Sequence, residues 1–371
     1  MPWPFQDPPR TLARAGSAPG PPVAGAGRPL RLEDLDYPLP QELIAQEPAP
    51  ERSASRLLVY RRSGGRVEHA RTRDLPALLP SPALLVLNNT RVRRARLSAR
   101  RRTGGRIDLL VLGVSGGERL HALARPARRL REGEALHVQG AGEVRVVACR
   151  GAGRVTLEPV RGARVLLEHG RMPLPHYIRR DPDHDPRDAL DLERYQTVFA
   201  REEGAVASPT AGLHFTEELF AELRERGHEV VFITLHVGPG TFTPVREPVV
   251  SHHTMHAEAF EIPSSTAEAY SRARSAGRPV LAVGTTSLRA LETAWDGHTL
   301  RPGRGVTDLF IFPPYQVKSA HFLMTNFHLP RSTLLALVAA VIGLEELRDL
   351  YRLAIAERYR FYSYGDAMLI L

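Results

Sequence analysis

Three histidines in this chain stand where apolar runs give way to polar loops. They are His214 in Pro209-Thr210-Ala211-Gly212-Leu213-His214-Phe215, His236 in Leu235-His236-Val237-Gly238, and His328 in Thr325-Asn326-Phe327-His328. An imidazole exchanges protons near neutral pH, so each is a candidate acid or base, although a structural hydrogen bond would explain any one of them alone. Similar polar endings recur at Asn88-Asn89-Thr90-Arg91, at His236 to Gly240, at Gly284-Thr285-Thr286-Ser287 and at Thr325 to His328. One such ending is a turn; four are expected to share a rim. The rim is rich in amide and hydroxyl groups and poor in carboxylate, which suits hydrogen bonding to a hydroxylated, nucleoside-like ligand. Thr210 and Thr241 extend the set.

The elements that must position these groups follow from periodicity. Thr216 is placed to cap a helix whose Leu219, Phe220 and Leu223 recur at helical spacing, with Glu217 and Glu218 at its positive end and Gly227 as its stop. Short β-rich runs at 83–87, 230–235 and 279–283, with Phe322-Leu323-Met324, read as strands covered on both faces. Ligands of open α/β sheets bind beyond the carboxyl ends of such strands. Gly284 and the three hydroxyls after it stand at a helix amino end, a seat for an anion or a ribose that capping alone also explains. Ser265 and Glu268 predict a capping box before a helix stopped by Gly277, and Ser332 predicts another cap. The apolar end, Ala367 to Leu371, reads as the last strand.

Between Val92 and about Val160 the pattern changes to short alternating segments broken by glycines, as in 106–112 and 143–147, which predicts a small antiparallel barrel. The expected fold is therefore α/β, a mixed and mostly parallel sheet flanked by helices, carrying an inserted antiparallel β-barrel. Expected boundaries are a disordered extension over 1–30, an α/β catalytic domain over 31–91 and 161–371, and the barrel over 92–160. Arg93, Arg94, Arg96, Arg100, Arg101, Arg102, Arg125, Arg128, Arg129 and Arg131 crowd the barrel, either as a solvated face or as phosphate contacts to RNA. A net charge of +9 over 371 residues favours an anionic partner. Lys318 is the only lysine, so genomic base composition also contributes to the arginine count.

Other classes are less well supported. Cys149 is the only cysteine, which removes an internal disulfide and a cysteine-based zinc site. No apolar run reaches the length of a membrane span, and no Walker loop or G-x-G-x-x-G follows a strand. His252 and His256, one helical turn apart with Glu258 two residues on, offer an alternative metal site for a hydrolase, although no H-E-x-x-H is present and 260–262 reads as a strand.

Seven segments together resemble the S-adenosylmethionine:tRNA ribosyltransferase-isomerase family of queuosine biosynthesis. They are 88–92 (NNTRV), 172–178 (MPLPHYI), 209–215 (PTAGLHF), 235–238 (LHVG), 284–287 (GTTS), 325–330 (TNFHLP) and 362–367 (YSYGDA). The likeness runs from about Leu32 to Leu371. It implies that the ribosyl group of S-adenosylmethionine is transferred to the aminomethyl group of a deazaguanine at the tRNA wobble position. Adenine and methionine leave, and epoxyqueuosine remains in the tRNA. No metal or redox cofactor is implied, S-adenosylmethionine being a co-substrate. The implied partner is the anticodon stem-loop of tRNA, and a monomeric cytoplasmic enzyme without membrane attachment is expected.

The resemblance also implies roles. His214 and His236 are expected to share acid and base duties, with Asp366 orienting the incoming amine or the ribose hydroxyls. Arg289, Thr285 and Thr286 are expected to hold the methionine carboxylate or those hydroxyls, and Phe215 and Tyr364 to stack on a base. Asn88, Asn89, Thr90, Arg91, Thr210, Gly212, Gly238, Gly240, Thr241, Gly284, Asn326 and His328 complete the expected binding set. Three features depart from the family pattern: the first 30 residues, Pro314 where glycine is expected, and His321 where aspartate is expected. A non-catalytic RNA-binding protein and the metal-dependent hydrolase are the two alternatives to this reading.

Overall fold

The structure is a computed structural model that describes residues 28–371 apart from 81, 117, 182, 183, 243 and 244, with the backbone alone at 241 and 242. The extension expected over 1–30 thus lies almost wholly outside the described residues. In chain order the first elements are β1 (Arg56–Arg61), β2 (Arg66–Arg71), α1 (Leu75–Leu78), β3 (Leu84–Asn88) and β4 (Thr90–Val92). Next come β5 (Arg96–Arg101), β6 (Arg106–Ser115), β7 (Arg119–Arg125), β8 (Ala135–Val138), β9 (Gly142–Cys149) and β10 (Arg154–Pro159). They are followed by α2 (Ala163–Glu168), α3 (Asp188–Arg194), β11 (Glu202–Ala205), α4 (Glu217–Glu225), β12 (Glu229–Leu235), β13 (Glu258–Ile262) and α5 (Ser264–Ser275). The chain ends with β14 (Val280–Val283), α6 (Thr285–Ala294), β15 (Gly303–Thr307), β16 (Phe322–Asn326), α7 (Thr333–Ile342), α8 (Leu344–Ala356) and β17 (Ala367–Ile370).

Two compact units result. One holds residues 91–196 and 203–208, the other residues 28–90, 197–202 and 209–371 among those described. In the first, β5 to β10 close into a barrel of order β10-β7-β6-β5-β8-β9, antiparallel throughout. Its strands lie within the 92–160 stretch, and the unit around it runs on through α2 and α3. Strict alternation of buried and half-buried residues along β6 fills the barrel with Ile107, Leu109 and Val111.

In the second unit a nine-stranded mixed sheet runs β15-β13-β12-β3-β14-β16-β17-β1-β2. Its four middle strands, β12, β3, β14 and β16, are parallel neighbours. Leu84, Leu85, Val86 and Leu87 on β3 are wholly buried, as expected of a strand covered on both faces. The final strand, β17, enters antiparallel to β16 and parallel to β1, so the chain terminus is built into the sheet.

The caps show where local reading holds. Thr216 Oγ1 accepts from Leu219 N at 3.2 Å, and Ser332 Oγ accepts from Leu335 N at 3.2 Å. The capping box at Ser265 and Glu268 is not formed. Pro263 is the cap of α5 and its carbonyl already accepts from Thr266 and Ala267, so Ser265 lies inside the first turn. Among the described residues no helix is long and apolar enough to cross a membrane.

Leu85 has no exposed surface and its strand is bounded by sheet neighbours on both sides. Leu85→Ala is expected to cost about 2–5 kcal/mol in urea-induced unfolding; a loss below about 1 kcal/mol would mean that the β3 core is not packed as described.

Candidate active site

Because β12, β3, β14 and β16 are parallel neighbours, their polar endings emerge along one edge. Asn88, wholly buried, extends the sheet where the backbone ladder stops: its Oδ1 accepts from Leu235 N at 3.0 Å and its Nδ2 donates to Leu235 O at 2.9 Å. The same Nδ2 reaches Thr286 Oγ1 at 3.2 Å, tying the start of α6 to β3. Thr234 Oγ1 donates to Asn89 Oδ1 at 2.7 Å, and Thr90 Oγ1 lies 2.8 Å from His236 Nδ1. His236 is half-buried. Three segments far apart in sequence are thus joined by side-chain hydrogen bonds.

The neighbouring part of the edge is more deeply buried. Asn326, at the end of β16, points Nδ2 at the carbonyls of Tyr362 (3.2 Å) and Asp366 (3.4 Å), which fixes the orientation of the amide. The same Nδ2 is 3.2 Å from His214 Nε2, so that nitrogen is assigned as the acceptor. His214 Nδ1–H then donates to Ser55 Oγ at 2.7 Å, and Ser55 Oγ lies 2.8 Å from Thr72 Oγ1. Burial, helped by Arg52 and Arg360, lowers the His214 pKa to about 4, so the ring is neutral at pH 7. Asn326 Oδ1 is buried without a partner among the described residues.

Asp366 sits beside Asn326 because β17 pairs antiparallel with β16. Its Oδ1 accepts from Arg56 N at 2.9 Å and its Oδ2 from Arg360 N at 2.8 Å. Burial raises its pKa, against the lowering effect of those bonds. Each carboxylate oxygen thus holds one backbone amide and keeps a second lone pair.

At the other side of the edge Gly284 caps α6 with φ +93°, a conformation that favours glycine. Thr285 is buried, and Ser287 Oγ bonds back to Val283 O at 2.8 Å, so no side chain caps the first turn. Arg289 is almost wholly buried. Its Nη1 pairs with Glu258 Oε2 and its Nε donates to Leu309 O at 3.1 Å, while Nη2 is buried without a partner among the described residues. Glu258 Oε1 in turn accepts from Gly238 N at 2.8 Å, fixing the loop after β12. Gly240 lies so close to His256 that a Cβ there would come within 2.4 Å of the ring. Gly212 is similarly confined in the turn Thr210–His214, where a Cβ would come within 2.8 Å of the Phe199 ring. The Thr241 side chain lies outside the described residues, and Arg91 is exposed at the start of the barrel-bearing unit.

Several expectations are corrected. His328 is a core histidine: its Nε2 lies 2.7 Å from Thr325 Oγ1, its N–H donates to Tyr351 Oη at 3.0 Å and its carbonyl accepts from Tyr37. Burial alone lowers its pKa to about 3. Phe215 packs in the core against Phe199 and Phe220, and Tyr364 is 3% exposed, so neither ring lies open for stacking on a base. The metal alternative loses its carboxylate, since Glu258 is committed to Arg289 and Gly238 while His252 and His256 are exposed. Among the described residues no group of three His, Cys, Asp or Glu is placed to hold a metal ion. His321 accepts from Val280 N at 3.0 Å, a bond that the expected aspartate would also accept. The loop around Tyr315 is held by buried Glu292, which accepts from Tyr315 Oη, Lys318 N and Ser319 N. Ser55, Thr72 and the pairing of Glu258 with Arg289 were not visible in local pattern.

The fold and this edge define an α/β enzyme with its polar groups gathered at the carboxyl ends of parallel strands. The chain belongs to the queuosine biosynthesis protein family, whose model matches residues 32–370. It is 49% identical to an S-adenosylmethionine:tRNA ribosyltransferase-isomerase of Anaeromyxobacter sp. (strain Fw109-5), over 92% of this chain and 99% of that protein. The protein of the same name from Moorella thermoacetica is 48% identical over 92% of this chain and 100% of its own length. The crystal structure of S-adenosylmethionine tRNA ribosyltransferase from Thermotoga maritima is similar with a TM-score of 0.52 and 35% identity, covering 91% of this chain and 100% of that one.

The depressed pKa of His328 sets a pH window. An unfolded histidine takes its proton near pH 6.5, and the folded one only near 3, so this contribution to stability is complete above 6.5 and is lost as pH falls towards 3. Wild type is therefore expected to lose its advantage over His328→Gln by about 2–3 kcal/mol between pH 7 and 4.5 in denaturant titrations. Parallel pH profiles for the two proteins would contradict the neutral buried ring.

Proposed function

We propose that this protein transfers and isomerises the ribosyl moiety of S-adenosylmethionine onto 7-aminomethyl-7-deazaguanine at the wobble position of tRNA, giving epoxyqueuosine with release of adenine and methionine. The observation that carries this reading is the near-full-length match to enzymes named S-adenosylmethionine:tRNA ribosyltransferase-isomerase, at 49% identity over 92% of the chain. The chemistry at the strand ends suits it. A sulfonium acidifies the adjoining ribose C–H, so an imidazole is a strong enough base to remove that proton, and the same proton then serves the departing adenine. The attacking nitrogen belongs to the tRNA, and no covalent enzyme intermediate is required.

In this reading His236, the half-buried imidazole beside Thr90, exchanges protons with the substrate. His214, neutral and engaged on both ring nitrogens, acts through Asn326: it holds the amide so that the unpartnered Oδ1 accepts from a ribose hydroxyl or the incoming amine. Arg289 Nη2 and the first amides of α6, with Thr285 and Thr286, take the methionine carboxylate or ribose hydroxyls. Buried polar atoms left unpaired cost about 1–3 kcal/mol each, and substrate contacts would recover that cost. All these residues belong to one compact unit of a single chain, which fits a monomer, and a tRNA substrate supports a cytoplasmic reaction.

Incubation with S-adenosylmethionine and tRNA bearing the aminomethyl deazaguanine is expected to release adenine and methionine in equal amounts. S-adenosylhomocysteine as the product would replace this reading with methyl transfer. His236→Ala is expected to lower kcat by about 10²–10⁴ while S-adenosylmethionine still binds, as judged by calorimetry. Turnover near the wild-type rate would take His236 out of the mechanism.

A further inference from the structure

The barrel separates its charge by end. Each strand runs antiparallel to both neighbours, so the connections β5–β6, β7–β8 and β9–β10 emerge at one end, and β6–β7 and β8–β9 at the other. Counted with the strand residues that flank them, the first three connections (101–106, 125–135 and 149–154) carry nine arginines and two glutamates. The other two (115–119 and 138–142) carry one arginine, Arg119, which faces Glu158 at 3.5 Å. Arginine supplied by base composition alone would populate both ends.

The three connections form one surface. Arg101 of the first bonds Glu134 and the carbonyl of Arg129 in the second, at 2.5–3.1 Å. Glu132 of the second accepts from Cys149 N at the start of the third at 3.1 Å. Both glutamates of this end are thereby engaged, and the bond from Arg101 holds Glu134 below the usual carboxylate range. What remains outward is cationic. Arg102 on the first connection and Arg128, Arg129 and Arg131 on the second are exposed, as are Arg150 and Arg154 on the third. None of these forms an ion pair with a carboxylate among the described residues, in contrast to Arg101 at the same end and to Arg96 and Arg119 elsewhere on the barrel. Guanidinium groups left without carboxylates on a rigid barrel end suit a run of phosphates, whose oxygens accept the planar N–H fork.

We propose that this end of the barrel grips the sugar–phosphate backbone of tRNA, independently of its sequence, with Arg102, Arg128, Arg129 and Arg131 among the contacts. The choice of tRNA as the polyanion rests on the proposed function. The grip supplies affinity and takes no part in the chemistry at the strand ends.

The test is filter binding of an unmodified tRNA transcript, titrated with salt. Replacing Arg102, Arg128, Arg129 and Arg131 together by Gln is expected to weaken binding about tenfold or more at low salt and to flatten the log–log salt slope by about 0.7–0.9 per lost contact. With the substrate tRNA the same variant should raise KM for tRNA and leave kcat and the affinity for S-adenosylmethionine unchanged. Arg119→Gln with Arg161→Gln, remote from this end, should change none of these. Unchanged affinity and salt slope in the fourfold variant, or equal losses in the remote pair, would overturn the proposal. Binding is read without turnover, so a wild-type protein that holds tRNA yet releases no adenine would refute the proposed reaction while leaving this surface standing or falling on its own slopes.

Discussion

The edge of the central sheet depends on an amide that behaves like backbone. Asn88 ends β3, yet its side chain donates to and accepts from Leu235 as a further ladder residue would, and its second N–H holds Thr286. A parallel sheet that simply stopped would leave Leu235 N and O facing a gap. The side-chain amide closes that gap and leaves the next positions, Asn89, Thr90 and His236, to bond with partners of their own. Its worth lies in position as much as in energy, since a single neutral hydrogen bond contributes only about 1 kcal/mol net.

Around that amide the structure accepts buried polarity that a purely structural core would avoid. His214, Asn326 and Asp366 are all nearly inaccessible, as are Arg289 and Glu258. Low local dielectric strengthens every bond they make and makes every unmade one costly. Asn326 Oδ1 and Arg289 Nη2 are two such unmade bonds, one an acceptor and one a donor, on residues that the strand ends bring to the same edge. Their neighbours are held on several sides: Asp366 by two backbone amides, Glu258 by Gly238 and Arg289, His214 by Ser55 and Asn326. Such second contacts hold these side chains at fixed distances, as the proposed reaction would require.

Much of this was legible in sequence because strands covered on both faces leave apolar runs of recognisable length, and their polar endings are conspicuous. The barrel was legible through alternation, as along β6. The identity of the partners was not. His328 and His236 both follow apolar runs, and only tertiary closure separates them: Tyr37 reaches the His328 carbonyl from 291 positions away, whereas His236 stays half-buried beside Thr90. Ser55, whose bond to His214 spans 159 positions, carries no local signal at all. Phe215 looked able to stack on a base because an aromatic side chain beside a polar turn has two plausible fates, and packing against Phe199 and Phe220 decided it. The capping box at Ser265 failed for a smaller reason, the carbonyl of Pro263 having begun the helix earlier.

A crystal structure of the protein with S-adenosylmethionine bound tests the central claim most directly. The nucleoside is expected against the carboxyl ends of β12, β3, β14 and β16, with polar contacts from Thr286, Asn326 and His236. A molecule seated elsewhere, touching none of these strand ends, would contradict it.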